Sequence, residues 1–197
     1  MARRRTSQLR CSRCRKSVPE YDIVNVVSFE APPRRLCTSC HNSEVAAAEG
    51  VAYEHPTFEP MSFTDAEGRA HLFHFRPSLI PDGRRSLESF EVSGGRRAGY
   101  EFQVTGDPDC DFLVLLARLI EKVRRRLSIA HIRVGNLGYE IADERVVRGH
   151  IGYDAETEGP MLVIDGKEIS WDEFGRMLLT FEGFAFKLEI HDVDEEL

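Results

Sequence analysis

Four cysteines constrain this chain more than any other feature. Cys11 and Cys14 form one CxxC pair, Cys37 and Cys40 form a second, and 22 residues separate Cys14 from Cys37. A CxxC turn sets two thiolates about one tetrahedral edge apart, so two such turns complete a four-thiolate shell for Zn²⁺. A redox dithiol comes singly and beside a βαβ pattern, and neither condition is met here. The spacing therefore points to one structural zinc ion, because a shell filled by four cysteines keeps no open position for a substrate. His41 follows Cys40 but is surplus to a complete set. Cys110 stands alone at a helix start, where a buried or idle thiol is expected.

The segment between the pairs has its own pattern. Tyr21–Phe29 is rich in β-formers (Ile23, Val24, Val26, Val27), and Pro32-Pro33 breaks it. After Cys40, Asn42–Glu49 reads as a short helix through Ala46, Ala47 and Ala48. A knuckle, a strand or hairpin, and a second pair at a helix start resemble the treble-clef class of zinc fingers over residues 9–50. A zinc module over residues 8–50 is the first expected domain.

Charge is distributed unevenly. Residues 1–40 hold nine basic side chains against three acidic ones, so the head carries +6 and the remainder −13 of a net −7. Arg13, Arg15, Lys16, Arg34 and Arg35 lie on or near the ligand-bearing loops. Such a surface attracts phosphate or an acidic protein, so the expected partner is a protein or a nucleic acid. Tyr21 and Phe29 are expected in the core of the module, which leaves few aromatics to stack on bases. Free thiols with metal spacing, and no apolar stretch behind the basic start, give a cytoplasmic location as the expectation. The longest apolar block, Phe112 to Ile120, is interrupted by Arg118 and is too short to span a bilayer, so no membrane contact is expected.

Beyond a linker marked by Pro56 and Pro60, residues 57–128 read as strands followed by a helix. Asp65–Gly68 is a turn between Met61–Phe63 and His71–Phe75, and Ser93-Gly94-Gly95 is a turn between Leu87–Val92 and Tyr100–Val104. Asp107 and Pro108 suit the N-cap and first position of a helix. Its apolar stripe is then Phe112, Leu113, Leu116, Leu119, Ile120, Val123 and Leu127, and Arg124, Arg125 and Arg126 oppose the negative end of its dipole. Residues 130–197 form the third expected domain. Arg145–Tyr153 reads as a strand, and Asp165-Gly166 joins a hairpin. Ser170 and Glu173 form a capping box ahead of a buried face of Phe174, Met177, Leu178 and Phe181. Gly183 then ends the helix, and Trp171 staples it to the hairpin. Phe184, Phe186, Leu188 and Ile190 alternate with polar residues as a last strand with one buried face, before a solvated acidic tail from Asp192. The class is α+β: a small four-cysteine zinc module followed by antiparallel hairpins with a helix packed on each sheet.

Catalytic patterns are weak. His71 and His74 stand three apart, so on a strand they face opposite sides and cannot share a metal. Asp107, Asp109 and Asp111 lack the glycine and distant glutamate of a calcium loop. Asp154 with Asp165-Gly166-Lys167 is similar to the two carboxylates and lysine of restriction-type nucleases, although Asp165-Gly166 reads better as a turn. The block Leu162–Ile190 resembles part of a family of bacterial proteins with an amino-terminal zinc finger and a carboxy-terminal domain of unknown function, which implies a compact α+β unit and no activity. The chain thus reads as a non-enzymatic zinc-containing binding or adaptor protein, with a metal-dependent hydrolase or nuclease built on Asp154, Asp165 and Lys167 as the alternative.

Overall fold

The structure is a computed structural model that describes residues 8–27, 32–136, 138–154 and 157–192. Among these lie three α-helices and thirteen strands in five small antiparallel sheets, an α+β arrangement. Phe29, and the acidic tail beyond Asp192, lie outside the described residues.

The first segment is built from two short hairpins and a helix. Strands β1 (Gln8–Arg10) and β2 (Ser17–Pro19) flank the first cysteine pair, and β3 (Ile23–Val26) pairs with β4 (Arg34–Cys37). Helix α1 (Thr38–Glu49) starts directly from β4 and ends at Gly50, which adopts φ 66° and satisfies the αL requirement of a helix C-terminus.

The central sheet is a meander of β5 (Met61–Thr64), β6 (Ala70–Leu79), β7 (Arg85–Ser93) and β8 (Arg96–Gly106). Side chains alternate across it. One face carries Phe73, Leu87 and Val104, which form a single apolar cluster with Leu115, Leu119, Val123 and Leu127 of α2 (Phe112–Leu127). The opposite face carries the cross-strand pair His74 and Phe90. Tyr21 of the cysteine segment packs there, its ring centroid 5.3 Å from His74 and 5.6 Å from Phe90. The sheet is therefore covered from both sides, by α2 and by the amino-terminal segment.

Asn42 of α1 makes a second joint to this sheet. Strand β5 pairs only with Ala70–Phe73, so the outer edge of β6 beyond that point has no strand neighbour among the described residues. The fully buried Asn42 side chain replaces one. Its Nδ2 donates to Pro77 O at 2.8 Å, and its Oδ1 accepts from Leu79 N at 3.1 Å. One side-chain amide thus makes the two bonds that a residue of a parallel strand would make. Pro77 fits inside a strand of ten residues because its missing N–H faces this same edge.

The last segment holds β9 (Ile132–Gly135) paired with β10 (Gly138–Ile141), then the sheet β11 (Gly149–Asp154), β12 (Gly159–Ile164) and β13 (Lys167–Ser170), then α3 (Trp171–Leu178). Ile132, Ile164, Ile169 and Met177 form its buried cluster. Asp165 and Gly166 take φ 49° and 69°, the paired positive values of a type I′ turn. Ser170 Oγ accepts from Glu173 N at 3.2 Å, the first half of the expected capping box.

Several sequence expectations are corrected. Helix α2 is capped by Asp111, whose carboxylate accepts from Leu113 N at 2.8 Å, whereas Asp107 closes the preceding turn by accepting from Cys110 N. The apolar stripe is rotated accordingly: Leu115 is buried and Leu113 is 65% exposed. Arg145 stands at φ 55° ahead of the strand, which begins at Gly149. Helix α3 buries Met177 but leaves Leu178 and Trp171 exposed, and a 3₁₀ turn over Leu179–Phe181 intervenes before Gly183. Residues 184–191 form no strand, and Phe186 is 90% exposed. A strand needs a paired edge as well as an alternating sequence, and no described strand pairs with this segment.

Candidate metal centre

The two cysteine pairs converge because each occupies a tight local structure. Cys11 and Cys14 lie in the turn between β1 and β2, where Cys11 N donates to Lys16 O, and Arg15 N donates to Cys11 O with Arg15 at φ 64°. Cys37 is the last residue of β4 and the N-cap position of α1, and Cys40 sits in the first helical turn. The knuckle is tied to β4 by Ser12 N donating to Arg35 O at 2.7 Å and Arg35 N donating to Ser12 Oγ at 3.3 Å. Thr38 Oγ1 donates to Asp22 O, which fixes the helix start against β3. All four Sγ atoms lie within 4.8 Å of one another, and none is in a disulfide. Cys11 and Cys37 are buried with Leu36 in a small cluster, and Cys14 faces solvent. Four cysteines are thus placed to hold one metal ion.

Electrostatics favours a cation in the middle. Burial pushes the Cys11 thiol up, but donation from the backbone N–H groups of Cys37, Cys14 and Arg13 outweighs it and brings the pKa down to about 6. Burial and hydrogen bonds to neighbouring thiols push Cys40 up to about 12, and burial also raises Cys37. Backbone donors thus favour a thiolate at Cys11, and burial chiefly opposes one at Cys37 and Cys40. A bound divalent ion removes that opposition, since a coordinating thiol is deprotonated outright.

Three family models, each described as a domain of unknown function, match the chain in succession: DUF7685 over residues 10–52, DUF7686 over 54–128 and DUF7713 over 131–195. The three matches follow one another along most of the chain. The four cysteines all lie in DUF7685, and the sheet that receives Tyr21 and Asn42 lies in DUF7686. No curated protein and no solved structure matches the chain.

The other candidate residues do not assemble. Asp154 pairs with Gly159 at one end of β12, whereas Lys167 pairs with Ile164 at the other. At about 3.3 Å per residue the two ends are about 17 Å apart. Asp165 is buried, and its Oδ2 accepts from His131 N at 2.6 Å and Ile132 N at 2.8 Å. The trio therefore makes no two-carboxylate site, and Asp165 serves to hold the chain entering β9. His41 is not in the thiol cluster. The Cys110 thiol is half-buried and faces Asp111 O at 3.7 Å, apart from the four others.

His71 and His74 do face opposite sides. His74 stacks on Phe90, while His71 is held between two carboxylates, Nδ1 at 2.9 Å from Glu91 Oε1 and Nε2 at 3.0 Å from Asp65 Oδ2. Sequence reading missed this cluster, as it missed Glu88 clamped between Arg76 and Arg97. Burial alone would raise Glu88, but the Arg76 and Arg97 guanidinium groups hold it below the ordinary carboxylate range. The alternation of β6 and β7 could have paired these residues only with the strand register known.

Proposed function

We propose that the chain is a non-enzymatic binding or adaptor protein whose amino-terminal module is a structural zinc finger of treble-clef type, with a basic surface that contacts a protein or a nucleic acid. The thiol geometry carries this reading. Cys14 Sγ lies 3.9 Å from Cys37 Sγ, and a tetrahedral zinc with bonds of about 2.3 Å needs edges of about 3.8 Å. Four thiolates are soft ligands that suit zinc and not magnesium or calcium, and a complete shell makes the ion a scaffold. The knuckle hairpin, the β3–β4 hairpin and the helix bearing Cys40 follow in treble-clef order.

The binding surface follows from what the ligand loops display. Arg10, Arg15, Lys16 and Arg35 are exposed and have no carboxylate partner among the described residues, whereas Arg34 is engaged bidentately by Glu44. An unneutralised basic patch draws polyanions. Tyr21 is packed between His74 and Phe90, so contacts to a nucleic acid would run through phosphates and not through base stacking. Free thiols with metal-ligand spacing support a reducing, cytoplasmic location as part of this proposal. No described helix is long and apolar enough to cross a membrane.

Elemental analysis with thiol counting tests the zinc: one ion per chain with only Cys110 reactive is expected, and a metal-free protein with several reactive thiols would overturn the reading. Fluorescence anisotropy with duplex DNA, duplex RNA and an acidic peptide tests the surface. Binding that falls steeply with salt and is lost in Arg15→Glu/Arg35→Glu is expected, and affinity unchanged in that double variant would remove the basic patch from the proposal.

A further inference from the structure

The carboxy-terminal segment presents the largest unexplained surface of the molecule. Phe184, Phe186, Leu188 and Ile190 recur at every second position and are 60%, 90%, 72% and 72% exposed. Large apolar side chains in an unbroken row mark an interaction site, and a spacing of two is that of one face of a strand. The same domain offers a matching acceptor. Strand β11 pairs with β12 on one side only and has no strand neighbour on the other among the described residues. It also exposes Ile151 and Tyr153 on one face, at 59% and 67%. Two other sheet-end strands fit less well. Strand β5 turns Ser62 and Thr64 outward, and β13 has four residues and begins beside Gly166, which is packed on the Tyr100 ring.

We infer that residues 184–191 of one chain add as an antiparallel strand to the outer edge of β11 in a second copy, and that the exchange is reciprocal. Donor and acceptor lie on the same polypeptide, so a two-fold axis satisfies both and closes the assembly as a dimer. Charge agrees at one end: in an antiparallel register Glu189 and Asp192 of the donor approach Arg148 and Arg145, which lie ahead of β11. Folding back onto its own β11 does not suit the donor. Arg145 already lies 5.4 Å over the Phe184 ring, so the segment starts beside the beginning of β11 and would have to run parallel to it. Every sheet among the described residues is antiparallel, and parallel pairing is weaker per residue. The added strand pairs its backbone with the β11 edge and packs the flanks of its apolar row against Ile151 and Tyr153, twice over in a reciprocal exchange.

Sedimentation equilibrium on the full, metal-loaded chain tests this directly. Twice the chain mass is expected in the micromolar range. Phe186→Glu on the donor and Ile151→Lys on the acceptor should each return the mass of one chain. Both side chains are exposed in the single chain, so the helical far-UV signal should be kept and only the strand contribution of residues 184–191 should fall. Mixing the two variants should restore a mixed dimer, because the pair retains one intact donor and one intact acceptor. A wild-type chain that stays single throughout, a dimer that survives both substitutions, or hydrogen-exchange protection of residues 184–191 in a single chain would each overturn the inference.

Discussion

Asn42→Ala separates the joint at the outer edge of β6 from everything else the structure holds together. The substitution removes a donor from Pro77 O and an acceptor from Leu79 N, both in a fully buried setting, and also the bond to Tyr53 Oη at 2.8 Å. A buried backbone group left unsatisfied costs about 1–3 kcal/mol, so two groups give about 2–6 kcal/mol. Tyr53 rescues little, since its hydroxyl retains His55 Nδ1 at 3.0 Å as a partner. The net effect expected on the same scale is about 3 kcal/mol. Urea unfolding of metal-loaded protein, followed by far-UV dichroism, reads it as a lower midpoint with an unchanged slope. Hydrogen exchange at the Leu79 amide should accelerate in parallel. A loss below about 1 kcal/mol, with the Leu79 amide still protected, would show that this edge is satisfied without Asn42 and that α1 is not fastened there.

Other perturbations test other parts of the reading. Cys37→Ser should abolish stoichiometric metal binding and the folded amino-terminal module, because a structural metal supplies much of such a module's folding free energy; elemental analysis and exchange of the β3–β4 amides check it. Leu119→Ala, at a fully buried position, should cost about 2–5 kcal/mol in thermal or urea melts, whereas Leu113→Ala, 65% exposed, should stay within about 0.5 kcal/mol; the reverse order would restore the unrotated stripe. Asp65 and Glu88 are both held below the ordinary carboxylate range in the fold. Burial opposes this in each case and is outweighed, by His71 and Arg69 at Asp65 and by Arg76 and Arg97 at Glu88. Their contribution is complete above the unfolded value near about pH 4 and is lost as pH falls below it. Glu88→Gln should therefore flatten the decline of the urea midpoint between about pH 5 and 3, and an unchanged decline would refute the assignment.

The features legible in the sequence are those set by neighbours along the chain. Two CxxC turns, the Asp165-Gly166 turn and the Ser170 cap each act over a handful of residues, and each appears where the residue types placed it. The start of α2 was misread because Asp107 and Asp111 are equally good caps; what selects Asp111 is the phase that lays Leu115 and Leu119 on Phe73, Leu87 and Val104, and that phase belongs to the sheet. Residues 184–191 have the alternation of a strand, but alternation names a face and not a partner. Asn42 gave no signal, because its role depends on β5 ending short beside a strand 35 residues further along the chain.

The contact of Tyr21 with the central sheet has a consequence for quality control in the cell. Phe90 is 2% exposed because Tyr21, His74 and Arg97 cover it, and Tyr21 is in place only while the cysteine module is folded. A chain whose cysteine module is unfolded would uncover Phe90 and His74 on the central sheet. Exposed aromatic surface is what chaperones and proteases recognise, so this joint would tie the lifetime of the chain to the folding of its cysteine module.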